Sequence, residues 1–264
     1  MDEQTKAATW EPGKKPAPAL PFASFRELVL SRGRQHFRDL PWRRTRDPYA
    51  VWLSEVMLQQ TQVTRVDGRW QRWLERFPTV EALAAAEPAD VLEEWQGMGY
   101  NRRALALLRA AREVCERGGG FPREEADLLA LPGIGPATAA GIRAFAYDLP
   151  GTYLETNVRT VFLHELFPQD VGVSDAVLRP LVTRTCPGTE LVPATDGDTP
   201  RTWYYALLDY GAWLKRTVPN PSRRSRSHVR QSSFEGSHRQ KRAEVVRILL
   251  SARDTGATLE GVAR

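Results

Sequence analysis

Apolar residues recur at helical spacing along most of the chain. Phe22, Phe25, Leu28, Val29 and Leu30 form one stripe, and Trp52, Leu53, Val56, Met57, Val63 and Val66 form another. Phe77-Pro78-Thr79 breaks the pattern, and Thr79 is placed to cap a helix that leads into Leu83. Pro88 to Trp95 reads as a short helix. Residues 101–116, rich in Ala, Leu and Arg, read as a long one, closed by Gly118-Gly119-Gly120. Trp203 to Leu214 is an apolar helix, and a last one is expected from about Arg239 to Ala252. Val171-Gly172-Val173 is too short to count as a strand, and the Pro- and Gly-studded stretch 186–201 reads as a loop. With no strand pattern and no internal repeat, the expected class is all-α.

Composition narrows the class. The chain has 264 residues, 42% hydrophobic and 26% charged, enough for one large core or two modest ones. No apolar run reaches the length of a bilayer span, and the first residues lack the apolar segment of a secretion signal. A cytoplasmic protein with no membrane partner is expected. Residues 1–21, with Pro12, Pro16, Pro18 and Pro21, read as a flexible leader. Cys115 and Cys186 stand alone, which excludes a disulfide framework, a Cys-rich zinc site and an all-cysteine iron–sulfur cluster. The basic excess is local. From Lys215 to Arg247, ten Lys and Arg residues face only Glu235 and Glu244, a strip suited to a polyanion.

The segment Leu128 to Ile142, LLALPGIGPATAAGI, carries a specific signal. Leu128 and Leu129 close one helix, and Pro136 suits the first turn of the next, where its missing N–H costs nothing. The intervening turn is expected to be too tight for side chains at both Gly133 and Gly135. Backbone N–H groups at such a helix start can hold a phosphate oxygen without a basic side chain. The pattern resembles the helix–hairpin–helix of DNA repair proteins. That resemblance implies a monovalent cation at the hairpin when DNA is bound.

Four further segments strengthen the resemblance. LPWRRTRDPYAVWLSEVMLQQTQV (40–63), EEWQGMGYNRRALAL (93–107), YLETNVRTVF (153–162) and ALLDYGAWL (206–214) stand in the order seen in A/G-specific adenine DNA glycosylases of the MutY type. These belong to the helix–hairpin–helix glycosylase superfamily, together with endonuclease III. The likeness spans roughly Phe37 to Leu214. It implies a two-lobed helical fold with DNA bound in a cleft. The lobes are expected at 47–147, with the hairpin at 131–136, and at 22–46 plus 148–264.

Glu55 sits among Trp52, Leu53, Val56 and Met57, so its carboxyl is expected to be partly desolvated and prone to protonation. In the family the matching Glu is the general acid that protonates a ring nitrogen of adenine, so that the base leaves neutral. A second carboxylate then stabilises the oxocarbenium-like sugar. The family places an Asp there, two positions before an Asn. This chain has Glu155 before Asn157, one methylene longer. Lyase members carry a Lys after the hairpin proline; Ala137 in its place implies a monofunctional enzyme that leaves the abasic site uncut. Because the base must be everted, the resemblance assigns Tyr100 to wedge beside the base opposite the lesion, Gln60 and Thr61 to the gap and the opposite base, and Gln59 to DNA binding. Arg38, Trp42, Arg43 and Asp209 match the lining of the adenine pocket.

Two departures bear on cofactor and specificity. Typical members hold a [4Fe–4S] cluster after the helix matching 206–214. Here the first three matching positions are Lys215, Ser222 and Ser225, so no cluster and no other cofactor are expected. The basic loop 215–242 is expected to pack back in its place and to keep a phosphate-binding role through Arg223 and Arg224. Family members usually continue into a C-terminal domain that helps find 8-oxoguanine; no counterpart is expected within these residues, which leaves the opposite base open. Together these features imply a monomer acting on double-stranded DNA that carries a mismatched or damaged base. The expected reaction is removal of adenine opposite guanine or 8-oxoguanine. Two alternatives remain: a thymine/uracil–guanine mismatch glycosylase, and a catalytically silent binder of distorted DNA.

Overall fold

Helix starts follow local chemistry. The computed structural model describes residues 18–228 and 235–253. α1 spans Phe22–Gln35. α2 (Pro48–Leu58) is capped by the Asp47 carboxylate, which accepts from the N–H groups of Tyr49 and Ala50 at 3.1 and 3.3 Å. α3 (Val63–Val66), α4 (Arg69–Arg76), α5 (Val80–Ala84), α6 (Pro88–Glu94), α7 (Arg102–Glu116) and α8 (Glu125–Ala130) follow, and Thr79 caps α5 through the N–H of Ala82. After the hairpin come α9 (Pro136–Tyr147), α10 (Thr156–Glu165) and α11 (Asp175–Thr185). α12 (Pro200–Thr217) opens on a capping box between Thr199 and Thr202, so the expected loop ends at Thr199. α13 spans His238–Ser251, capped by Ser237. Among the described residues the remainder is loop, two short 3-10 turns and isolated bridges, with no strand. The class is all-α. No helix among the described residues is long and apolar enough to cross a membrane. Most of the expected leader, residues 1–17, lies outside the described residues.

Contacts divide the described chain into two units. Unit 1 comprises 18–46 and 136–228. Its core packs α1, α10 and α12 through edge-on contacts of Phe25 with Phe162 and Trp203, at 4.9 and 6.1 Å between ring centres. α10 and α12 pack so closely that a Cβ at Gly211 would collide with the Asn157 carbonyl. Unit 2 comprises 47–135 and 235–253. It is built around Trp73, which meets Phe77 and Trp95 edge-on at 5.2 and 5.5 Å, and around Leu83, Leu107 and Leu108. Trp73 Nε1 donates to the Tyr49 hydroxyl, which donates to the Phe77 carbonyl, so both of these buried polar groups are satisfied.

The expected lobes differ from these units in two places. α9 belongs with unit 1, because Phe145 stacks on Tyr205 of α12 at 4.4 Å and meets Tyr153 edge-on. α13 belongs with unit 2: Arg239 bonds the Tyr100 hydroxyl, and Arg253 pairs with Asp90 at 2.7 Å. Periodicity alone carries no information about which neighbour a helix face meets.

Candidate functional site

In unit 2, Glu55 lies on α2 between Ser54, Val56 and Met57, all buried, and is itself half-buried. α2 ends at Leu58 with Gln59 as its C-cap, and the chain turns through Gln60, whose φ of 52° is a left-handed value rare for a side-chain-bearing residue. Tyr100 has the same feature, with φ 50°, at the end of Gly97-Met98-Gly99. Both strained turns are held by one side chain. Arg103 on α7, 8% exposed, donates from Nη1 to the carbonyls of Val56 (2.7 Å), Met57 (3.2 Å) and Gln59 (2.7 Å). Its Nη2 donates to Thr61 Oγ1 and to the carbonyls of Met98 and Gly99, at 3.1–3.2 Å. Burial pushes the guanidinium down to about 10, still charged at neutral pH. Arg103 therefore positions Gln59, Gln60, Thr61 and Tyr100 together and caps the C-terminus of the Glu55 helix. Sequence reasoning missed it. The available signal was an arginine on the apolar face of α7, beside Ala104 and Leu107.

The hairpin turn closes unit 2. Gly133 has φ 80°, and a Cβ there would sit 2.7 Å from Ala106 Cβ, so glycine is required twice over. Gly135 corrects the expectation: its φ is not left-handed and a Cβ would meet open space. Only the first glycine makes the turn. The second leaves α9 starting at Pro136 without a side chain in front of its N–H groups, and Ala137 is half-buried in that first turn.

In unit 1, Glu155 takes the N-cap position of α10 without the usual capping bond further into the helix, and the backbone N–H of Thr156 faces its carboxyl. It is half-buried, and burial raises its carboxyl above the ordinary value against the opposing pull of Arg159. Arg159 is itself committed to Asp175 by two bonds at 2.9 and 2.8 Å. Asn157 accepts from Lys215 Nζ at 3.3 Å.

Arg38, Arg43 and Asp209 form one cluster. Arg43 Nη1 and Nη2 grip the two oxygens of Asp209 at 2.7 and 2.8 Å, and Arg38 Nε adds a third charged bond at 2.6 Å. Asp209 is 1% exposed and Trp42 is 4% exposed. Arg43 also lies over the Tyr205 ring at 4.4 Å. The cluster ties the segment after α1 to α12.

The loop after α12 departs from the sequence expectation. Arg224 was expected to face phosphate. Instead its Nη1 donates to the carbonyls of Phe167, Pro168 and Asp170, at 2.7–3.0 Å, and its Nη2 to Leu163 at 2.9 Å. All four acceptors are backbone groups at or just beyond the end of α10. Arg223 is exposed. Ser222 and Ser225 are buried; Ser222 Oγ bonds Asn220 Oδ1 at 2.8 Å, and Ser225 Oγ accepts from the Ser227 N–H. Backbone pairing of Gly172 with Arg224 and of Val173 with Arg226 closes the loop. No thiolate stands at these positions, and Cys186, the free cysteine of unit 1, is buried elsewhere against the Pro187 carbonyl. The residues present do not fit a four-cysteine cluster. Residues 229–234 of the expected basic loop lie outside the described residues.

Residues 53–194 match the HhH-GPD superfamily of base excision DNA repair proteins, over more than half of the chain. The chain belongs to this superfamily. It is 41% identical over 177 residues to an adenine DNA glycosylase of Mycolicibacterium smegmatis, a match covering 66% of this chain and 58% of the relative. It is 40% identical over 148 residues to the human adenine DNA glycosylase, covering 52% and 27%. The chain thus spans little more than half the length of the first relative and less of the second. Its fold is similar to that of a thermostable thymine-DNA glycosylase, with a TM-score of 0.60 at 23% identity over 72% of this chain and 86% of the other. It is also similar to endonuclease III in a non-covalent DNA complex, with a TM-score of 0.57 at 19% identity over 75% and 87%. These likenesses establish the HhH-GPD fold.

Proposed function

We propose that this HhH-GPD protein is a monofunctional adenine DNA glycosylase, acting as a cytoplasmic monomer on double-stranded DNA with adenine mispaired opposite guanine or 8-oxoguanine. The observation that carries the reading is Glu55, half-buried on α2 in the LSEVMLQQT segment, which resembles the signature of adenine glycosylases. In this reading Glu55 gives a proton to a ring nitrogen of the everted adenine. The bond from C1′ to the base breaks, its electron pair stays with the base, and the sugar becomes oxocarbenium-like. Ionised Glu155 stabilises that charge, and water adds to C1′ and gives its proton to the Glu55 carboxylate, which restores the acid. Asn157 orients this end of the site. Arg38, Trp42, Arg43 and Asp209 hold the adenine side. Ala137 has no amine, so no Schiff base forms and the abasic site is released uncut.

Gln60 and Thr61 fill the gap left by the base, Tyr100 wedges beside the opposite base, and Gln59 contacts the DNA. Gly133 and Gly135 present N–H groups to a phosphate, with a monovalent cation between them when DNA is bound. Catalysis uses no metal and no iron–sulfur cluster, in keeping with the donor set after α12.

The deciding experiment measures single-turnover base release from duplexes carrying A·G, A·8-oxoguanine, T·G or U·G. Release of adenine by the unaltered chain, with loss of roughly a hundredfold or more in Glu55→Gln, is expected for removal of a general acid. Preference for T·G or U·G would replace the substrate. Equal rates in both proteins, or none in either, would remove the enzyme.

A further inference from the structure

The basic C-terminal helix has a place that its sequence did not indicate. α13 is attached to unit 2 near its two ends: Arg239 Nη1 donates to the Tyr100 hydroxyl at 2.7 Å and lies over that ring at 5.6 Å, while Arg253 pairs with Asp90 at 2.7 Å. None of its side chains is buried. Between α13 and the segments around 60–69 and 97–105 lies an open hollow of about 2080 Å³. Arg65, Arg69 and Arg102 line one wall, and Lys241, Arg242 and Arg247 line the other. Of these, only Arg69 is not exposed. Glu244 is the single acid in the lining, and it pairs with Arg247 at 3.0 Å.

We propose that this hollow is a groove for the sugar–phosphate backbone of DNA, with α13 as its outer wall. Three physical points carry it. Two facing rows of cations, all but Arg69 exposed and with one acid in the lining, repel each other unless a polyanion lies between them. The volume exceeds that of ordinary small-molecule pockets, about 300–1,000 Å³, and the hollow is open, as a polymer requires. A helix of fourteen residues is about 21 Å long, the axial length of roughly six base pairs, so one strand can pass several phosphates along it. Because Arg239 holds the Tyr100 turn, the groove runs directly past that residue. DNA as the polymer follows from the function proposed above; the groove is a separate claim about where its backbone runs.

The test uses the full chain and a fluorescein-labelled duplex of about 25 base pairs carrying one A·G mismatch, titrated by anisotropy between about 50 and 200 mM salt. In K241E/R242E/R247E, affinity is expected to fall roughly tenfold or more, and the slope of log K against log salt to shrink by about 2–3, one phosphate contact per lost cation. The charge-matched variant R109E/R117E/R179E alters exposed arginines outside the groove lining and is expected to keep the slope. Circular dichroism checks the helix, and K241Q/R242Q/R247Q, with a residue of good helix propensity, gives the same readout if the glutamates unfold it. An unchanged slope in a folded triple variant, or an equal loss in the control, overturns the groove. Base release by the unaltered chain is scored separately: binding with this salt response but no release leaves the groove standing and removes the glycosylase.

Discussion

Replacing Arg224 with Met removes a cation whose bonds all run to backbone carbonyls. Three of the four, to Phe167, Asp170 and Leu163, are partly buried, and the fourth, to Pro168, is exposed. Hydrogen bonds from charged groups contribute about 1.5–3 kcal/mol each when shielded, and the exposed one adds little. Freed carbonyls on a half-open loop regain water, so about 1 kcal/mol for each of the three is the appropriate discount, or about 3 kcal/mol together. Loss of a cation beside the C-terminal carbonyls of α10 adds a few tenths more. A unit of this size loses roughly 3–4 °C in Tm per kcal/mol, so Arg224→Met is expected to lower Tm by about 10 °C. Thermal unfolding of both proteins, followed by circular dichroism, measures this. Arg224→Lys should recover only part of the loss, because an ammonium cannot spread donors across four carbonyls as the planar fork does. A Tm within about 2 °C of the unaltered chain would refute the account, since that corresponds to under 1 kcal/mol.

Three other outcomes follow from the same geometry. Burial raises the Glu155 carboxyl, and the proposed chemistry needs it ionised, so the acid limb of single-turnover base release should lie above the ordinary glutamate value of about 4.3. A raised folded value means that the charged form is the costly one. Glu155→Gln should therefore unfold at higher temperature than the unaltered chain at neutral pH, with the gap closing as pH falls below the unfolded value, while losing base release. Asp209→Asn leaves Arg43 and Arg38 facing each other without a counter-charge and should cost about 3–5 kcal/mol, read by denaturant unfolding; a cost under 1 kcal/mol would mean the cluster is not a clamp. Gly133→Ala should destabilise by more than 1 kcal/mol through its left-handed φ and its crowding on Ala106, whereas Gly135→Ala should be neutral or stabilising by about 0.4–1 kcal/mol; equal effects would overturn the assignment of the turn to the first glycine alone.

What the sequence determined by itself is local. Thr79 and Pro136 mark helix starts because the first accepts from an N–H three residues on and the second has a fixed φ and no N–H that needs a partner. Helical periodicity likewise placed α7, α12 and α13 to within a few residues. Glu55 and Glu155 stood out because their neighbours in the chain identify them. Tertiary structure decided the rest. Arg223 and Arg224 are adjacent and chemically identical, yet one faces water and the other bonds the carbonyls that close α10. Arg103 likewise binds two turns lying on either side of it in space. Both act on backbone carbonyls, which every residue carries, so no side-chain pattern announces them; only the folded chain determines which carbonyls a guanidinium meets.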